Sequence, residues 1–433
     1  MGVRLHRPLL LGLAACASLS SARVLEVGPG KAYTLPSQAA LAAKDGDTVA
    51  FSPVVFTGDA ATWSASNLVL RGTAAYAHLK AQGVNAGGKG TWVIKGNNTV
   101  LENLEFSEAS VPDQNGAGIR QEGDNLTVRN CFFHDNENGI LAGDAANSDI
   151  LIERTEFARN GFGDGYTHNM YINHVKSFTL RYCYSHHAKV GHNIKTRALR
   201  NFILCNRSLD GTDGTGSYEL DLPNGGYTVI AGNVFQQGAA TENPTLVSYG
   251  EEGLTNTGSA VQIINNTFVN DRPSGGTFIV LAAATPSARV MNNLFVGPGT
   301  LISGFIPDSS ANLATQSPGF LDRAGFDYRL AAASPAIDKG ADPGRLDGMA
   351  LLPDMQFLPP GQVLPRPVKG PPDIGAFEYD GSAGIGYRQA SARSAKGQVQ
   401  DIGVLYGGGR LFFGAIDPVD GLGRTVRHSL KSE

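Results

Sequence analysis

The sequence predicts an all-β fold, a single-stranded right-handed parallel β-helix in which short strands stack turn upon turn into a solenoid. A phrase of an alternating strand, one or two Asn or other polar residues and then an aromatic residue recurs along the chain, with copies ending at 106, 133, 157, 184, 208, 235, 268 and 295. The period is about 26 residues, with one longer step of 33. All 27 Asn lie between positions 67 and 312, and the 55 Gly without a collagen period indicate many turns.

Other repeat folds fit less well. Leucine-rich repeats share the period but need a Leu-x-x-Leu-x-Leu pattern, and helical repeats need a 3.6-residue periodicity; the chain shows neither. In a parallel β-helix each turn contributes three short strands, and turns stack about 4.8 Å apart. We therefore expect the aromatic residues to stack in the core and the Asn amides to bond from turn to turn.

The first 22 residues resemble an export signal. Arg4 and Arg7 precede an apolar run over residues 8–17, which is too short to span a bilayer. Residues 20–22 have the small-x-small form of an ordinary cleavage site, whereas residues 13–16 resemble a lipobox that would lipidate Cys16. We expect a secreted or periplasmic protein without a membrane span, with a lipid anchor through Cys16 as the alternative.

The mature chain divides into three parts. The repeat predicts the β-helix over 23–304. Pro becomes frequent in 305–380, and we expect this segment to cap the open end of the stack. Residues 381–433 are rich in Gly, Ser and Arg without a repeat, and we expect a flexible tail.

Composition excludes several classes. An apolar fraction of 42% with a net charge of −4 excludes disorder for most of the chain. Lys and Arg (35) are fewer than Asp and Glu (39), so there is no nucleic-acid footprint. Cys131, Cys183 and Cys205 are too few for a disulfide framework, and we expect buried thiols, with a Cys183–Cys205 bridge as the alternative. We expect a monomer.

Aligning the turns also aligns their faces, because side chains alternate along a strand. The residues expected to point inward are Ile119, Ile140, Met170, Ile194, Leu220 and Val247. The opposite parity forms an outward column of Arg120, Leu141, Tyr171, Lys195, Asp221 and Ser248. This stripe is typical of a groove for an extended polysaccharide, although a solvated polar face is the simpler interpretation.

Histidine clusters at the same turns. Five of the nine His fall within 25 residues, namely His168, His174, His186, His187 and His192. His168 and His192 each precede an Asn on adjacent turns, which places both at one corner of the groove. They are candidates for catalysis or for structural histidines held by turn carbonyls. The candidate cofactor is Ca²⁺, because it prefers hard oxygen ligands. Such ligands are offered by Asp210, Asp213, Glu219 and Asp221.

These residue types suit β-elimination in a uronic-acid polymer. The enzyme must neutralise the carboxylate, remove the C5 proton and protonate the leaving oxygen. We assign Lys195 as base, because Arg197 and the histidines would disfavour its protonated form, and Tyr171 or His168 as acid, with His192 beside them. Arg120 and Arg197 would pair with the carboxylate, and the remaining predicted sugar contacts are Asn169, Asn193 and Tyr249.

Two alternatives stay open. Hydrolysis needs two carboxylates, and Glu219 and Asp221 would lie about 6.6 Å apart on one strand face. A non-catalytic envelope protein that binds carbohydrate would use the same groove without any essential residue.

Over about 25–380 the chain resembles secreted bacterial right-handed β-helix proteins, in particular the lyases and epimerases that act on uronic-acid polymers. Residues 193–196, Asn-Ile-Lys-Thr, are similar to the segment with the catalytic Lys of the chondroitinase B/alginate lyase family, which implies the base role for Lys195. That family has an Arg on the next turn, where this chain has Glu219 and Asp221. Residues 165–169 and 191–197 resemble mannuronan C5-epimerases, with His168 and Arg197 at matching positions. The resemblance implies an anionic polysaccharide as partner and a polysaccharide lyase as activity, with C5-epimerase as the alternative.

Overall fold

The structure is a computed structural model that describes residues 22–358 and 362–381, together with the backbone of two strands at 402–407 and 410–415. It is a right-handed parallel β-solenoid of three parallel sheets, as the sequence predicts. Because each turn contributes one strand to each sheet, equivalent positions of successive turns lie above one another.

Strands are numbered in chain order. Sheet A contains β1 Val24–Val27, β2 Thr48–Phe51, β5 Val69–Gly72, β8 Thr99–Glu102, β11 Leu126–Arg129, β14 Ala145–Glu153, β17 Val175–Arg181, β20 Arg200–Leu204, β23 Tyr227–Ala231, β26 Ala260–Ile264, β29 Ala288–Met291 and β32 Asp308–Ser310. Sheet B contains β3 Val55–Thr57, β6 Ala77–Lys80, β9 Leu104–Ser107, β12 Phe132–His134, β15 Glu156–Ala158, β18 Tyr184–His186, β21 Arg207–Leu209, β24 Val234–Gln237, β27 Thr267–Asn270, β30 Leu294–Val296 and β33 Leu313–Thr315. Sheet C contains β4 Ala61–Trp63, β7 Gly90–Ile94, β10 Ala117–Gln121, β13 Asn138–Ala142, β16 Met170–Ile172, β19 Lys195–Thr196, β22 Leu220–Leu222, β25 Thr245–Tyr249, β28 Thr277–Leu281 and β31 Thr300–Gly304.

The remaining elements are small. One helix, α1 Pro36–Ala42, precedes β2. Four antiparallel pairs follow the solenoid: β34 Phe320–Asp322 with β35 Asp327–Leu330, β36 Arg345–Leu346 with β37 Met349–Ala350, β38 Met355–Leu358 with β39 Gln362–Pro365, and β40 Ile402–Gly407 with β41 Arg410–Ala415.

Aromatic side chains stack along the inner face of sheet B. Phe133 lies between Phe106 and Phe157, with ring centroids 5.0 and 5.1 Å apart and rings within 9° of parallel. A second stack joins Phe235, Phe268 and Phe295. The six residues predicted to point inward from sheet C are also fully buried.

The aromatic column is interrupted at two turns. Parallel pairing aligns Phe157 with Ser185, Ser208 and then Phe235. The sequence phrase placed Tyr184 in this column, which is wrong by one residue: Tyr184 aligns with Glu156 and packs against the C-terminal segment. The inner face of sheet B is therefore polar at these two turns, while residues such as Ile194, Ile203 and Leu220 keep the rest of their core apolar.

Asn side chains form ladders at the corners, as predicted. Between sheets A and B, each Nδ2 donates to the Oδ1 of the next turn at 2.9–3.0 Å. The members of this ladder are Asn206, Asn233, Asn266, Asn293 and Asn312. Each Oδ1 also accepts a backbone N–H from the preceding turn, so the ladder satisfies buried polar groups where the chain changes direction.

The two ends of the solenoid are treated differently. Helix α1 contacts β4 and β1 at the first turns, and its Ala39 is buried in the core. The parallel sheets continue to Thr315, beyond the predicted boundary at residue 304.

The segment expected to cap the open end packs along the sides of later turns. Tyr328, Ile374 and Phe377 cover apolar outer residues of sheet B such as Val269, and Leu351 covers the outer face of sheet A. The predicted cap thus closes apolar sides of the solenoid, because the outward residues there are Val, Leu and Ile rather than polar.

The three cysteines beyond the predicted signal are free and buried. Burial raises the pKa of each thiol to about 12, which leaves them protonated. Helix α1 has 7 residues, far fewer than a membrane crossing requires, and no helix in the described part of the chain is a candidate span. Residues 1–21 of the predicted signal peptide and most of the predicted tail lie outside the described residues.

The aromatic stack generates a stability prediction. Replacing Phe133 by Ala removes the middle ring of a three-ring stack and leaves a buried cavity, so we expect a loss of about 3–5 kcal/mol in the free energy of unfolding. Equilibrium denaturant unfolding measures it. The matched control is Phe162→Ala at an exposed ring, expected within about 0.5 kcal/mol of wild type. Equal losses for both variants would contradict the stack as a core element.

Candidate active site

The outer face of sheet C carries the predicted polar column. Strand pairing aligns its members in the expected order, Arg120, Leu141, Tyr171, Lys195, Asp221 and Ser248. Leu141 is buried between Arg120 and Tyr171, and Ser248 is buried beyond Asp221. The polar part of the column is therefore centred on Tyr171 and Lys195.

Lys195 lies between two carboxylates. Its Nζ is 3.4 Å from Asp221 Oδ2 and 3.5 Å from Glu252 Oε1, and 6.0 Å from the centre of the Tyr171 ring. The side chain is only 13% exposed. The sequence argument for the base role weighed only Arg197 and the histidines, although it aligned Asp221 beside Lys195; the structure places the two negative charges of Asp221 and Glu252 against this amine.

Arg197, directly after β19, orients Tyr171. Its Nε donates to the Tyr171 hydroxyl oxygen at 2.9 Å, and its Nη2 lies 2.7 Å from Glu252 Oε2. Its Nη1 donates to Asn224 Oδ1. Glu252 thus bridges Lys195 and Arg197, and the Tyr171 hydroxyl donates its own proton to Asn173 Oδ1 in a long hydrogen bond of 3.5 Å.

His168 and His192 lie behind this group as a buried edge-to-face pair with ring centroids 4.5 Å apart. Burial, reinforced by Lys195 and Arg197, lowers the pKa of His168 to about 3, and burial lowers that of His192 well below its usual value. His168 Nδ1 accepts the backbone N–H of His192 at 3.0 Å. Burial therefore disfavours the charged imidazolium form of both rings, and of the two predicted acids Tyr171 is the one that lies on the outer face beside Lys195.

The predicted sugar contacts Asn169 and Asn193 are also wrong, because both side chains are fully buried. They belong to a corner ladder in which Asn169 Nδ2 donates to Asn193 Oδ1 at 2.8 Å. Asn193 Nδ2 in turn donates to Glu219 Oε2 at 2.9 Å. Ser185 and Ser208 bond to the same group. These residues form a polar plug that fills the gap in the aromatic column.

Glu219 and Asp210 are the acidic members of this polar plug. Burial raises the pKa of Asp210 to about 6, and burial together with the Asp210 charge raises that of Glu219 well above its usual value. Glu219 Oε1 is buried and has no hydrogen-bond partner among the described residues. A protonated Glu219 can donate a hydrogen bond to Asp210. Burial and the neighbouring Asp210 charge thus favour the protonated form of Glu219.

The predicted calcium ligands do not assemble. Asp210 and Glu219 lie in the buried plug, Asp213 is exposed beside His187, and Asp221 faces Lys195. Because Glu219 points inward, the Glu219–Asp221 pair on which the hydrolase alternative rested does not form in the groove. Burial raises the pKa of Asp221 to about 6, against the lowering effect of Lys195.

Two further predicted residues lie outside the central group. Tyr249 is fully buried and donates its hydroxyl to the Gly226 carbonyl at 2.7 Å, so its predicted contact with sugar is wrong. Arg120 is two turns away from Tyr171, and its Nε has no hydrogen-bond partner within the described residues. Arg120 faces the groove but does not join the Lys195 cluster.

Sequence reasoning missed the loop that follows β25. Its Glu251 accepts a hydrogen bond from Tyr218 at 2.8 Å, and its Glu252 contacts Lys195 and Arg197. Asn256 anchors the loop by donating to the carbonyls of Arg197 and Ala198. The 33-residue step between Phe235 and Phe268 was the available signal, since the extra residues have to leave the stack.

Comparison with known proteins supports the fold. The family described as a right handed beta helix region matches residues 55–221. Among solved structures, the chain is similar to pectate lyase Pel9A, with 14% identity, 84% of this chain and 98% of that chain covered, and a TM-score of 0.58. It also matches the A-module of the Azotobacter vinelandii mannuronan C-5 epimerase AlgE6 at 11% identity, covering 64% and 93% of the two chains with a TM-score of 0.34. A search of curated proteins found no match.

The polar plug generates a pH prediction. Because folding raises the pKa of Asp210 and Glu219, their contribution to stability is present below about pH 4 and is lost as pH rises through about 6. Glu219→Gln keeps a donor toward Asp210 without ionising. We expect the melting temperature of this variant minus that of wild type to be a few degrees higher at pH 7 than at pH 4.

Thermal unfolding across this pH range makes the measurement, with Glu242→Gln at an exposed residue as control. Parallel curves for Glu219→Gln and wild type would show that the pair does not titrate with folding.

Proposed function

We propose that this protein is a polysaccharide lyase that cleaves a uronic-acid-containing polymer by β-elimination, with Lys195 as the base. The observation that carries the proposal is the convergence of Lys195, Arg197 and Tyr171 on the outer face of sheet C, linked through Glu252 and the Arg197–Tyr171 hydrogen bond. A pectate lyase with the same fold supports the class of reaction by analogy.

Glu252 marks the place for a substrate carboxylate. Its two oxygens lie 3.5 Å from Lys195 Nζ and 2.7 Å from Arg197 Nη2, and the side chain is about half exposed. A uronate that displaced it would pair with the Arg197 guanidinium and lie beside the Lys195 amine that acts as base. Neutralising the carboxylate makes the C5 proton more acidic, because it stabilises the charge that develops when this proton leaves.

Proton transfer then needs a base and an acid. A neutral Lys195 takes the C5 proton, the C4–O bond breaks as the C4–C5 double bond forms, and Tyr171 gives its hydroxyl proton to the leaving oxygen. Arg197 stabilises the phenolate through its Nε, 2.9 Å from the hydroxyl oxygen. Transfer of the proton from Lys195 back to the Tyr171 phenolate then restores both groups, and Lys195 Nζ lies 6.0 Å from the centre of the Tyr171 ring.

The substrate would lie along the column toward Arg120. Extended chains in such grooves cross successive turns, and Arg120 is about 10 Å from Tyr171 by two turn spacings. A polymeric substrate requires a location outside the cytoplasm, for which residues 1–22 are the sequence argument.

Lys195→Ala tests the base. We expect formation of 4,5-unsaturated uronate, followed by ultraviolet absorbance on a panel of uronic-acid polymers, to fall by about 10²–10⁴-fold. Lys176→Ala is the matched control, since Lys176 is an exposed lysine on the outer face of sheet A. Full activity of Lys195→Ala would overturn the assignment. Exchange of the C5 proton without unsaturated product would replace the lyase by a C5-epimerase.

Glu252→Gln tests the carboxylate position. Removing the competing charge should lower KM for the polymer severalfold, as expected for a half-exposed ion pair. The control is Glu251→Gln, because Glu251 binds Tyr218 and neither cation. A higher KM for Glu252→Gln would mean that Glu252 positions Arg197 for the substrate rather than competing with it.

A further inference from the structure

A second cluster of chemistry-bearing side chains lies on the outer face of sheet B, away from the Lys195 group. His78 is on β6, Glu105 on β9 and His134 on β12, three strands of successive turns. Pairing aligns His78 with Glu105, and His134 with Ser107 two residues further along. All three side chains have outward parity and are 16–19% exposed, so they are shielded but reachable.

The three side chains converge on one point. Glu105 Oε1 lies 3.0 Å from His134 Nε2 and 3.7 Å from His78 Nδ1. The two imidazole centroids are only 5.8 Å apart although their strands are separated by a whole turn. One ligand atom from each residue lies within 4.8 Å of the others, and within the described part of the chain this is the only such group of three.

The second nitrogen of each ring is already occupied. His134 Nδ1 lies 2.8 Å from Asp135 Oδ2, and Asp135 is held by two hydrogen bonds from Arg159 at 2.8 and 3.1 Å. His78 Nε2 lies 2.7 Å from Ser107 Oγ. Outer partners of this kind orient metal-bound histidines and set which nitrogen faces the ion. Both rings therefore present their remaining nitrogen toward Glu105.

The donor set identifies the class of ion. Two imidazole nitrogens and one carboxylate oxygen suit zinc and related first-row transition metals, whereas calcium prefers ligands that are all oxygen. Donors around a tetrahedral ion at about 2.0–2.2 Å are about 3.4 Å apart. The distances from Glu105 to the two rings, 3.0 and 3.7 Å, lie on either side of this value. Three protein ligands leave one position for water.

We propose that His78, Glu105 and His134 bind a divalent transition-metal ion of the zinc class. The ion would join three successive turns near the start of the solenoid, so binding would stabilise the folded state by mass action. The site is independent of the proposed lyase reaction, because it lies on a different sheet from Lys195.

Calorimetric titration of untagged, chelator-treated full-length protein tests the site, with Zn²⁺ and Ca²⁺ as separate probes. We expect one Zn²⁺ per chain and a rise in melting temperature, with much weaker binding of Ca²⁺. Co²⁺ in place of Zn²⁺ should give the visible absorbance of a tetrahedral site. No stoichiometric Zn²⁺ uptake, or a preference for Ca²⁺, would overturn the proposal.

Variants locate the ion. His134→Ala should weaken Zn²⁺ binding by at least 100-fold, and Asp135→Asn by about 10–100-fold through loss of the outer partner. His174→Ala is the control, since this histidine is on the turn before β17 and outside the cluster. Should His134→Ala fold poorly, Glu105→Gln, with the same shape, replaces it. Wild-type affinity in both His134→Ala and Glu105→Gln would refute the site.

Discussion

In-register parallel stacking is the constraint on which the whole structure depends. A single turn of three short strands cannot bury its own apolar face, so each turn is stable only between its neighbours. Stacking at a fixed spacing also places like residues above one another, which is why Phe133 meets Phe106 and Phe157 and why Asn266 bonds to Asn293. Core and corners are thus made by the same repeat.

The candidate active site lies where this repeat is broken. At the turns of Ser185 and Ser208 the aromatic column gives way to buried Asn169, Asn193 and Glu219. The same turns place Tyr171, Lys195 and Asp221 on the outer face of sheet C. A hydrogen-bonded plug behind the strand supports the backbone that carries the reactive groups, since its side chains bond both within a turn and between neighbouring turns.

Segments outside the repeat complete the molecule. The loop after β25 brings Glu252 to Lys195 and Arg197, and Asn256 holds the base of that loop. The C-terminal segment covers apolar sides of sheets A and B, and its buried Arg366 pairs with Glu378 at 3.0 Å. The C-terminal segment thus covers outer faces of the solenoid that the repeat leaves apolar.

The sequence by itself determined the fold class, the inward and outward faces of sheet C and the alignment of Tyr171, Lys195 and Asp221, because strand parity and repeat spacing are local properties. Only the tertiary structure decided that Asn169, Asn193 and Glu219 turn inward. At a corner, the alternation of side chains along a strand does not determine which way a side chain points. The tertiary structure alone brought Glu252 to Lys195, and His78 to His134, since loop paths and side-chain tilt depend on contacts between turns that no spacing along the chain encodes.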